Sequence, residues 1–520
     1  MLSALLILGS VACSSTGTAA NKTSAASGKA QEYTCELAVV GAGGGGMMSA
    51  MQAARAGASV IVLEKGGSWK VSNTSFAGGT TAVDTPTQKA AGKTVTVDEV
   101  FDHMMTYSQG TVNQVLVRRC LEASGSVMKT WMDLGVKMFL GPDRYQVGFE
   151  TVHVYTTPNK MELLEKDIIA HGGRFLYSTA GTGLIMKDGA VTGVRARTSD
   201  GQNVVIHCKA VVISTGGFLN NKEMMDQYFG KAEHVAVAGS PLCTGDGIKM
   251  ALEAGAIMDT NFALSTYADV AGYNGKNVGV HGTYLTEKRN QAFVFGNIGT
   301  MLVDNQGDRF INEYLLANNP LAFGGAMQAR IGYYYAIVDQ KTIDELSEES
   351  PYSRLGRPAS WNVGPILFDN PQKNIKKDIE TAITEGWTWK ADSIEALSKA
   401  AGLEHLSKQV ARYNRLCEAG VDTDLGVPKL FLSSLAKGPF YAIEYQCAGL
   451  VTMGGIKTDS TCCALDKENE RIPGLYVAGS DNGSVYSGPY YDVGGTSSGL
   501  AIQTGWIAGQ EAATFLGKGE

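Results

Sequence analysis

The chain has 520 residues, of which 44% are hydrophobic and 18% charged, and its formal net charge is −7 at pH 7. This length predicts two or more hydrophobic cores, while the acidic balance argues against a nucleic-acid surface and the low charge against long disordered tails. Chemistry on a small molecule is therefore the favoured class of function. The 64 glycines follow no G-X-Y period, so they predict many tight turns and close backbone approaches.

Residues 1–32 predict an export signal followed by a flexible tether. The run MLSALLILGSVAC is apolar, uncharged and too short to span a bilayer, and it resembles a bacterial lipoprotein signal with Cys13 as the lipidated residue. It departs from that pattern at Ser10, where leucine is usual, and it lacks a basic start. We expect an exported protein, lipid-anchored at the outer face of the cytoplasmic membrane. The alternative is a cytoplasmic chain with an apolar N-terminus.

The nine cysteines include no C-x-x-C pair. This argues against a c-type haem site, an iron–sulfur cluster or a zinc ribbon, and we predict no metal site. The sequence leaves open whether the cysteines form disulfides, because it does not show which of them would pair.

The stretch CELAVVGAGGGGMMSAMQAARAGASVIVLEKGG (35–67) predicts a strand, a glycine turn, a helix and a second strand. Gly41 permits the tight turn, Gly43 lets the backbone approach a pyrophosphate, and Gly46 lets the helix pack on the strand. Glu64 ends the second strand, where it can accept hydrogen bonds from an adenosine ribose. We infer a dinucleotide-binding unit. The next block, VSNTSFAGG (71–79), is a polar loop and glycine pair suited to a flavin, or an ordinary turn.

The rest of the chain predicts two domains. Helical spacing covers 97–136, and short alternating runs with Asp-Gly turns cover 174–217. Between 263 and 439 the chain becomes rich in aromatic residues and proline. We therefore predict an α/β fold: a Rossmann-like domain built from 33–262 and 440–520, with an inserted α+β capping domain at 263–439.

Motifs in order from 35 to 515 resemble those of the flavoprotein family of fumarate reductase, succinate dehydrogenase, urocanate reductase and 3-ketosteroid dehydrogenase. They are VVGAGGGGMMSA, LEK, SNTSFAGG, STGGF, TGDGIKMA, GDRFINE, TMGGIKTD and GLYVAGS followed by GGTSSGLAIQTGWIAG. The resemblance implies FAD, an FAD-binding domain from two chain segments, and a capping domain that shields the flavin from water. It implies FAD contacts at Gly41, Gly43, Gly45, Gly46, Glu64, Asn73, Thr74, Gly78, Gly79, Asp246, Ser497 and Ser498.

Two departures concern the cofactor. The acidic residue that the family carries near the ribityl chain is Ser480 here, with Asp481 adjacent. Residues 66–80 contain no histidine, so covalent attachment through histidine lacks support. We expect FAD to be releasable by denaturation.

Three further departures concern the substrate. The resemblance to fumarate-type members implies an arginine where Asp492 stands, a second arginine at Ala317 and a histidine at Val451. The absence of these three charged side chains argues against a fumarate-like dicarboxylate as the substrate, because Asp492 would repel a substrate carboxylate.

The segment YSGPYYDVGG (486–495) also resembles the ketosteroid-type members, in which a tyrosine stands four residues before the second glycine. The resemblance implies that the Tyr491 hydroxyl and the Gly495 amide hold a substrate carbonyl, and Tyr490 is a second candidate. The alternative is that both tyrosines pack between domains.

The sequence leaves the proton donor open, because the family's tyrosine at the position of Ala317 is absent. Tyr314 is the nearest candidate, with His281 and Tyr284 behind it, and each has a structural alternative. Arg309 of GDRFINE is expected to be a structural ion-pair residue.

These residues predict an exported flavoenzyme that transfers a hydride from FAD to a carbon–carbon double bond conjugated to a carbonyl. A separate electron-donor protein is expected, since the chain carries no haem motif. The open alternatives are a ketosteroid-type dehydrogenase running the reverse reaction, a hydratase or isomerase that uses FAD without net redox change, and a lipoprotein that only binds a ligand or relays electrons.

Overall fold

The computed structural model describes residues 30–143, 147–230, 235–266, 270–271, 290–318, 331–351 and 370–519. Cys13 of the predicted export signal, and the alternative proton donors His281 and Tyr284, lie outside these residues. Across the described ranges, no helix combines the length and apolar character needed to cross a membrane.

A six-stranded sheet forms the centre of the larger unit. Its strands Leu37–Val40, Val60–Leu63 and Ala210–Ile213 are apolar and buried throughout, as expected for parallel strands covered on both faces. Arg471–Val477 pairs in parallel with Ala210–Ile213, so the chain returns to this sheet after a long insertion. The predicted Rossmann-like domain from two chain segments is confirmed. The strand order is Cys463–Leu465, Arg471–Val477, Ala210–Ile213, Leu37–Val40, Val60–Leu63 and Arg174–Leu176.

Two helices with small residues at their contact cover one face of this sheet. They are Gly44–Arg55 and the final helix, Thr496–Phe515. A Cβ on Gly505 would lie 2.2 Å from the Gly45 oxygen, and the Ser49 hydroxyl donates to the Gly505 oxygen at 2.9 Å. Only glycine permits this approach of the two backbones.

The predicted run of short strands forms a four-stranded sheet. Asp188 and Gly189, both with positive φ, make the turn between Thr179–Lys187 and Ala190–Thr198, as the Asp-Gly pair indicates. Asn203–His207 continues the antiparallel order, and the first strand, Gln31–Thr34, adds in parallel at the edge.

A second unit has its own sheet and apolar core. Tyr333–Asp339 pairs antiparallel with Met301–Val303 on one side and with Phe440–Gln446 on the other. The predicted domain limit at residue 440 places the strand Phe440–Gln446 in the FAD-binding domain. In the structure this strand pairs with Tyr333–Asp339 and so belongs to the sheet of the second unit. The sequence FYAIEYQ is buried at every position and would suit either sheet. Val270–Ala271 and Thr388–Ala391 also pair with this strand, and the surrounding helices are Glu313–Asn318, Gln340–Glu348, Ile375–Glu385, Ile394–Ala401 and Leu406–Ala419.

The helical region predicted at 97–136 is confirmed as Val97–Tyr107 and Gln114–Asp133. Thr96 caps the first helix, with its side chain accepting from the Glu99 amide. Two three-stranded sheets complete the larger unit: Gly79–Thr81, Val152–Tyr155 and Met138–Leu140; and Ala236–Val237, Ala448–Met453 and Ala263–Thr266. Further helices of this unit among the described residues are Asn73–Phe76, Pro86–Ala90, Lys160–Ala170, Lys222–Phe229 and Asp246–Glu253, with short 3-10 turns at Trp69–Val71 and Gly479–Asp481. The 3-10 turns Gln291–Asn297 and Lys429–Phe431 belong to the second unit.

Candidate active site

The glycine turn has the geometry that the sequence predicts. Gly41 has a φ of +108°, and a Cβ on it would lie 2.1 Å from the Ser214 oxygen. A Cβ on Gly46 would lie 1.9 Å from the Gly41 oxygen, so this glycine is required for packing. Gly43 differs, because its nearest neighbour would be the Ser72 Cβ at 4.0 Å. The open space at Gly43 suits the close approach of a phosphate to the helix N-terminus.

The polar loop closes over this turn. The Gly44 amide donates to the Thr74 hydroxyl at 3.1 Å, and the Ser240 amide donates to the Asn73 side-chain oxygen at 2.7 Å. Lys160 lies beneath the loop and donates from Nζ to the carbonyl oxygens of Ser75 and Ala77, at 3.2 and 3.0 Å. Burial lowers the pKa of Lys160 to about 8. Sequence reasoning missed Lys160, since nothing in its local pattern relates it to the loop.

Glu64 is buried at the end of its strand. Its carboxylate oxygens accept from the Ala42 amide at 2.9 Å and the Gly66 amide at 2.6 Å. Burial raises the pKa of Glu64, while the two amide hydrogen bonds oppose that change. Each carboxylate oxygen has a second lone pair, so the group can also accept a ribose hydroxyl.

An ion pair that the sequence did not reveal also lines the cleft. Lys65 Nζ lies 2.7 Å from Asp246 Oδ2, and the Thr244 hydroxyl donates to the other Asp246 oxygen at 2.9 Å. Of the predicted FAD contacts, Asp246 thus enters the cleft already paired with a cation. The only sequence signal for Lys65 is its place directly after Glu64.

Asp481 and Ser480 have different roles. The fully buried Asp481 carboxylate accepts from the Thr215 amide, from the Thr215 hydroxyl at 2.8 Å and from the Gly217 amide at 2.8 Å. It therefore fixes the second glycine turn and is not available to a ligand. Ser480 lines the cleft instead, so a hydroxyl stands where the family places an acid.

One cleft gathers seven of the twelve predicted cofactor residues. The space in the cleft and at its mouth that no protein atom fills is about 790 Å³, part of it open to solvent. Those seven are Gly41, Gly43, Gly45, Glu64, Asn73, Thr74 and Asp246.

The other predicted contacts, apart from the packing glycine Gly46, lie along the strand Gly79–Thr81 and the start of the final helix. The Thr81 amide donates to the Gly495 oxygen at 3.1 Å, which holds the strand and the helix start together. Gly495 has a φ of +81°, and a Cβ there would lie 2.7 Å from the Thr81 nitrogen. Gly78 precedes this strand and accepts from the Tyr155 amide at 3.0 Å.

Three buried hydroxyl groups lie close together at this junction. The Tyr155 hydroxyl interacts with the hydroxyls of Thr80 and Ser498, and none of the three forms a hydrogen bond of good geometry with the described residues. Buried hydroxyls without well-formed hydrogen bonds destabilise a fold by about 1–3 kcal/mol each. A polar ring system such as an isoalloxazine would supply partners for them, so these residues fit FAD.

The two tyrosines before the final helix have different hydrogen bonds. The Tyr490 hydroxyl accepts from the Ser497 amide at 2.8 Å, and so caps the helix. The Tyr491 hydroxyl donates to the Val485 oxygen at 3.2 Å, and its ring is fully buried. In this structure the Tyr491 proton is directed at a backbone oxygen six residues before it in the chain. Its role at a substrate carbonyl stays a prediction.

Asp492 forms an ion pair that sequence reasoning missed. Its Oδ1 lies 2.8 Å from His103 Nε2, and the pair is partly exposed. The Asp492 carboxylate raises the pKa of His103 above its ordinary value. Four residues along the same helix, the Tyr107 hydroxyl donates to the Tyr490 oxygen at 2.9 Å. The sequence signal for these two contacts is the i, i+4 spacing of His103 and Tyr107, which places both side chains on one face of the helix.

The remaining candidates belong to the second unit or to the core. The Tyr314 ring packs on Phe431, with 4.8 Å between centroids, at the start of a short helix of the second unit. Arg309 is confirmed as a structural ion-pair residue, since it bonds Glu313 and Asp422 at 2.7 and 2.9 Å with all three side chains buried. Ala317 and Val451 are buried.

Residues 36–498 match the family described as FAD binding domain. The chain belongs to this family. It is an FAD-dependent oxidoreductase, and the predicted cofactor is confirmed. The individual FAD contacts stay predictions.

Three curated relatives align over most of their length. The chain is 28% identical to vinyl phenol reductase of Lactiplantibacillus plantarum, covering 94% of this chain and 98% of that protein. It is 28% identical to fumarate reductase (cytochrome) of Shewanella frigidimarina, covering 95% and 80%. It is 26% identical to digoxin reductase of Eggerthella lenta, covering 93% and 88%.

Solved structures show the same fold. The chain superposes on 3-ketosteroid Δ1-dehydrogenase from Sterolibacterium denitrificans with a TM-score of 0.72 and 20% identity, covering 92% and 99% of the two chains. On the open form of a flavocytochrome c3 fumarate reductase the TM-score is 0.65 with 23% identity, covering 93% and 79%. At these identities the likeness concerns the fold alone.

Proposed function

We propose that this enzyme reduces a carbon–carbon double bond in an uncharged conjugated substrate, such as an aromatic alkene or an enone. The observation that carries the proposal is the Asp492–His103 pair beside the start of the final helix. A carboxylate occupies the place where the family resemblance implies a carboxylate-binding arginine, and it already has a partner.

Electrostatics separates this substrate class from a dicarboxylate. A substrate carboxylate beside Asp492 would be destabilised by about 1 kcal/mol or more at partly buried range. Ala317 and Val451 supply no compensating charge at the two other positions. The relatives include reductases of vinyl phenol and of digoxin as well as of fumarate. Substrates other than dicarboxylates are therefore found among proteins of similar sequence.

The chain's own residues would hold the cofactor and its developing charge. When bound, FAD supplies hydride transfer. The glycine turn and Glu64 would hold its adenosine and phosphate side, and Ser480 would lie near its ribityl chain. The N-terminus of the final helix, capped by the Tyr490 hydroxyl, would stabilise negative charge on the ring through its dipole.

The electron donor and the location are also part of this proposal. A separate donor protein would reduce the flavin, and the enzyme would be anchored outside the cytoplasmic membrane through a lipid on Cys13. Mass spectrometry of the native membrane form tests the anchor, because a lipidated Cys13 would begin the mature chain. A mature protein that starts at Met1 without lipid would contradict it.

Product analysis tests the reaction. Holoenzyme would be reduced chemically under anaerobic conditions and mixed with a vinyl phenol, an enone, urocanate or fumarate. The molecular mass of each product would then be measured by mass spectrometry. We expect the gain of two hydrogens on an uncharged conjugated substrate. A product of unchanged mass or with added water would favour the isomerase or hydratase alternative, and oxidation of a saturated ketone by oxidised enzyme would favour the dehydrogenase direction.

A further inference from the structure

His103 has the geometry of an oriented base. Its Nε2–H donates to Asp492 Oδ1 at 2.8 Å, and within the described residues no partner contacts Nδ1. The side chain is about 30% exposed, so His103 is not closed off from solvent. A carboxylate that holds one ring nitrogen fixes the tautomer and leaves the other nitrogen as a proton acceptor.

Carboxylate–histidine pairs also occur at His207 and His405, but both are more exposed than the His103 pair. His207 Nε2 lies 3.5 Å from Glu32 Oε2, with more than half of each side chain exposed. Both ring nitrogens of the buried His153 have partners, Thr85 and Thr151, and burial lowers its pKa to about 4. His405 pairs with Asp308 through Nδ1 at the surface of the second unit, with about half of each side chain exposed. It is therefore a matched carboxylate–histidine pair away from the cofactor cleft.

Aromatic rings lie beside the pair. The Phe149 ring lies edge-on to His103 with 5.5 Å between centroids, and Tyr107, one turn further along the helix of His103, packs against Tyr491 at 6.2 Å. A lone-pair nitrogen recognises a hydroxyl donor rather than a carbonyl or a carboxylate. Together, an acceptor nitrogen and flanking rings fit an aromatic substrate that carries a hydroxyl group.

We propose that His103, oriented by Asp492, accepts the hydroxyl proton of a phenolic alkene substrate. This inference rests on the proposed function and specifies its substrate class. His103 would contact the substrate directly, while Asp492 would be a positioning residue.

The proton transfer makes an electron-rich alkene reducible. The phenolic proton moves to His103 Nδ1, and a proton from solvent adds to the terminal vinyl carbon. The substrate is then a quinone methide, whose benzylic carbon accepts the hydride. His103 returns its proton to the ring oxygen, so the net change is one hydride and one proton, and the imidazole is neutral again.

The charges around His103 make it a stronger base. Asp492 and Asp143 both raise its pKa, and the Tyr107 phenol lies close to the same carboxylate. Proton acceptance requires the neutral imidazole, so activity on a phenolic alkene would rise with pH through the pKa of His103.

Binding of 4-nitrophenol to oxidised holoenzyme tests the inference without turnover. Its phenolate absorbs visible light, so the spectrum reports whether the bound probe has lost its proton. We expect the apparent pKa of the bound probe to fall by about one pH unit or more, and His103→Gln to abolish this change. His405→Gln is the matched control and should keep it. A probe that stays protonated in the wild type, or ionises equally in His103→Gln, would overturn the inference.

A pair of substrates provides the second test. We expect 4-vinylphenol to be reduced about 100-fold faster than its methyl ether, which has no proton to give. His103→Gln should bring the two rates within about threefold, and Asp492→Asn should move the rise of kcat/KM to lower pH.

Equal wild-type rates on both compounds would overturn the inference but leave the proposed function standing. Failure of every conjugated alkene to oxidise the reduced flavin would overturn the proposed function itself. Bound flavin content confirms that each variant is folded.

Discussion

The cofactor cleft and the segment 486–495 are fixed by different kinds of interaction. In the cleft, the absence of side chains sets the geometry, because a Cβ on Gly41 or Gly46 would lie about 2 Å from a backbone oxygen. In the segment, side-chain hydrogen bonds set it: the Tyr490 and Tyr491 hydroxyls bond to backbone groups six or seven residues away, and the Asp492 carboxylate bonds to His103. The glycine turn and the two tyrosine contacts follow from local sequence, whereas the partner of Asp492 comes from a distant part of the chain.

The largest effect is expected where a side chain supports the cleft from behind. Asp481→Ala would leave the amides of Thr215 and Gly217 and the Thr215 hydroxyl without an acceptor, so the free energy of unfolding should fall by about 4 kcal/mol. Ser480→Ala, its neighbour, should leave apoprotein stability unchanged and weaken FAD binding. Chemical denaturation and flavin titration measure the two effects. Equal stability of the two variants would refute the separation of roles.

A pair of glycine substitutions separates packing from ligand approach. Gly46→Ala places a Cβ against the Gly41 oxygen and should lower the free energy of unfolding of the apoprotein by about 3 kcal/mol. Gly43→Ala faces open space, so it should leave apoprotein stability within about 0.5 kcal/mol but weaken FAD binding about tenfold or more. Unchanged FAD affinity in Gly43→Ala would show that no phosphate approaches this turn.

The two tyrosines can be separated by removing one hydroxyl at a time. Tyr490→Phe leaves the Ser497 amide without its acceptor, so we expect a loss of about 1–2 kcal/mol in stability and about tenfold in the rate of flavin reoxidation. Tyr491→Phe removes one internal hydrogen bond and should cost about 1 kcal/mol with less than threefold change in rate. A hundredfold loss of rate in Tyr491→Phe would support the carbonyl-binding role predicted from the sequence.

The smallest effect concerns the pH dependence of stability. Asp492 raises the pKa of His103 in the folded state, so the pair stabilises the protein most below the unfolded histidine pKa of about 6.5. This contribution is lost as pH rises through the higher folded pKa. Asp492→Asn should therefore lower the free energy of unfolding more at about pH 5.5 than at about pH 9, by less than about 1 kcal/mol for this partly exposed pair. A larger loss at the higher pH would contradict the sign.

Much of the fold could be predicted because its signals are local. The buried runs LAVV, VIVL and AVVI and the turn at Gly41 identify the parallel sheet. The register of Phe440–Gln446 could not be predicted, since its buried residues suit either sheet. The Asp492–His103 contact joins residues 389 positions apart, and the local sequence of neither residue contains the other.

The central claim is that the site takes an uncharged conjugated alkene and disfavours a dicarboxylate. The most direct measurement is the rate of flavin reoxidation after anaerobic mixing of reduced enzyme with 4-vinylphenol or with fumarate, in a stopped-flow instrument. We predict that 4-vinylphenol reoxidises the flavin at least about 100-fold faster, a difference of about 2.7 kcal/mol in barrier. Faster reoxidation by fumarate would contradict the account.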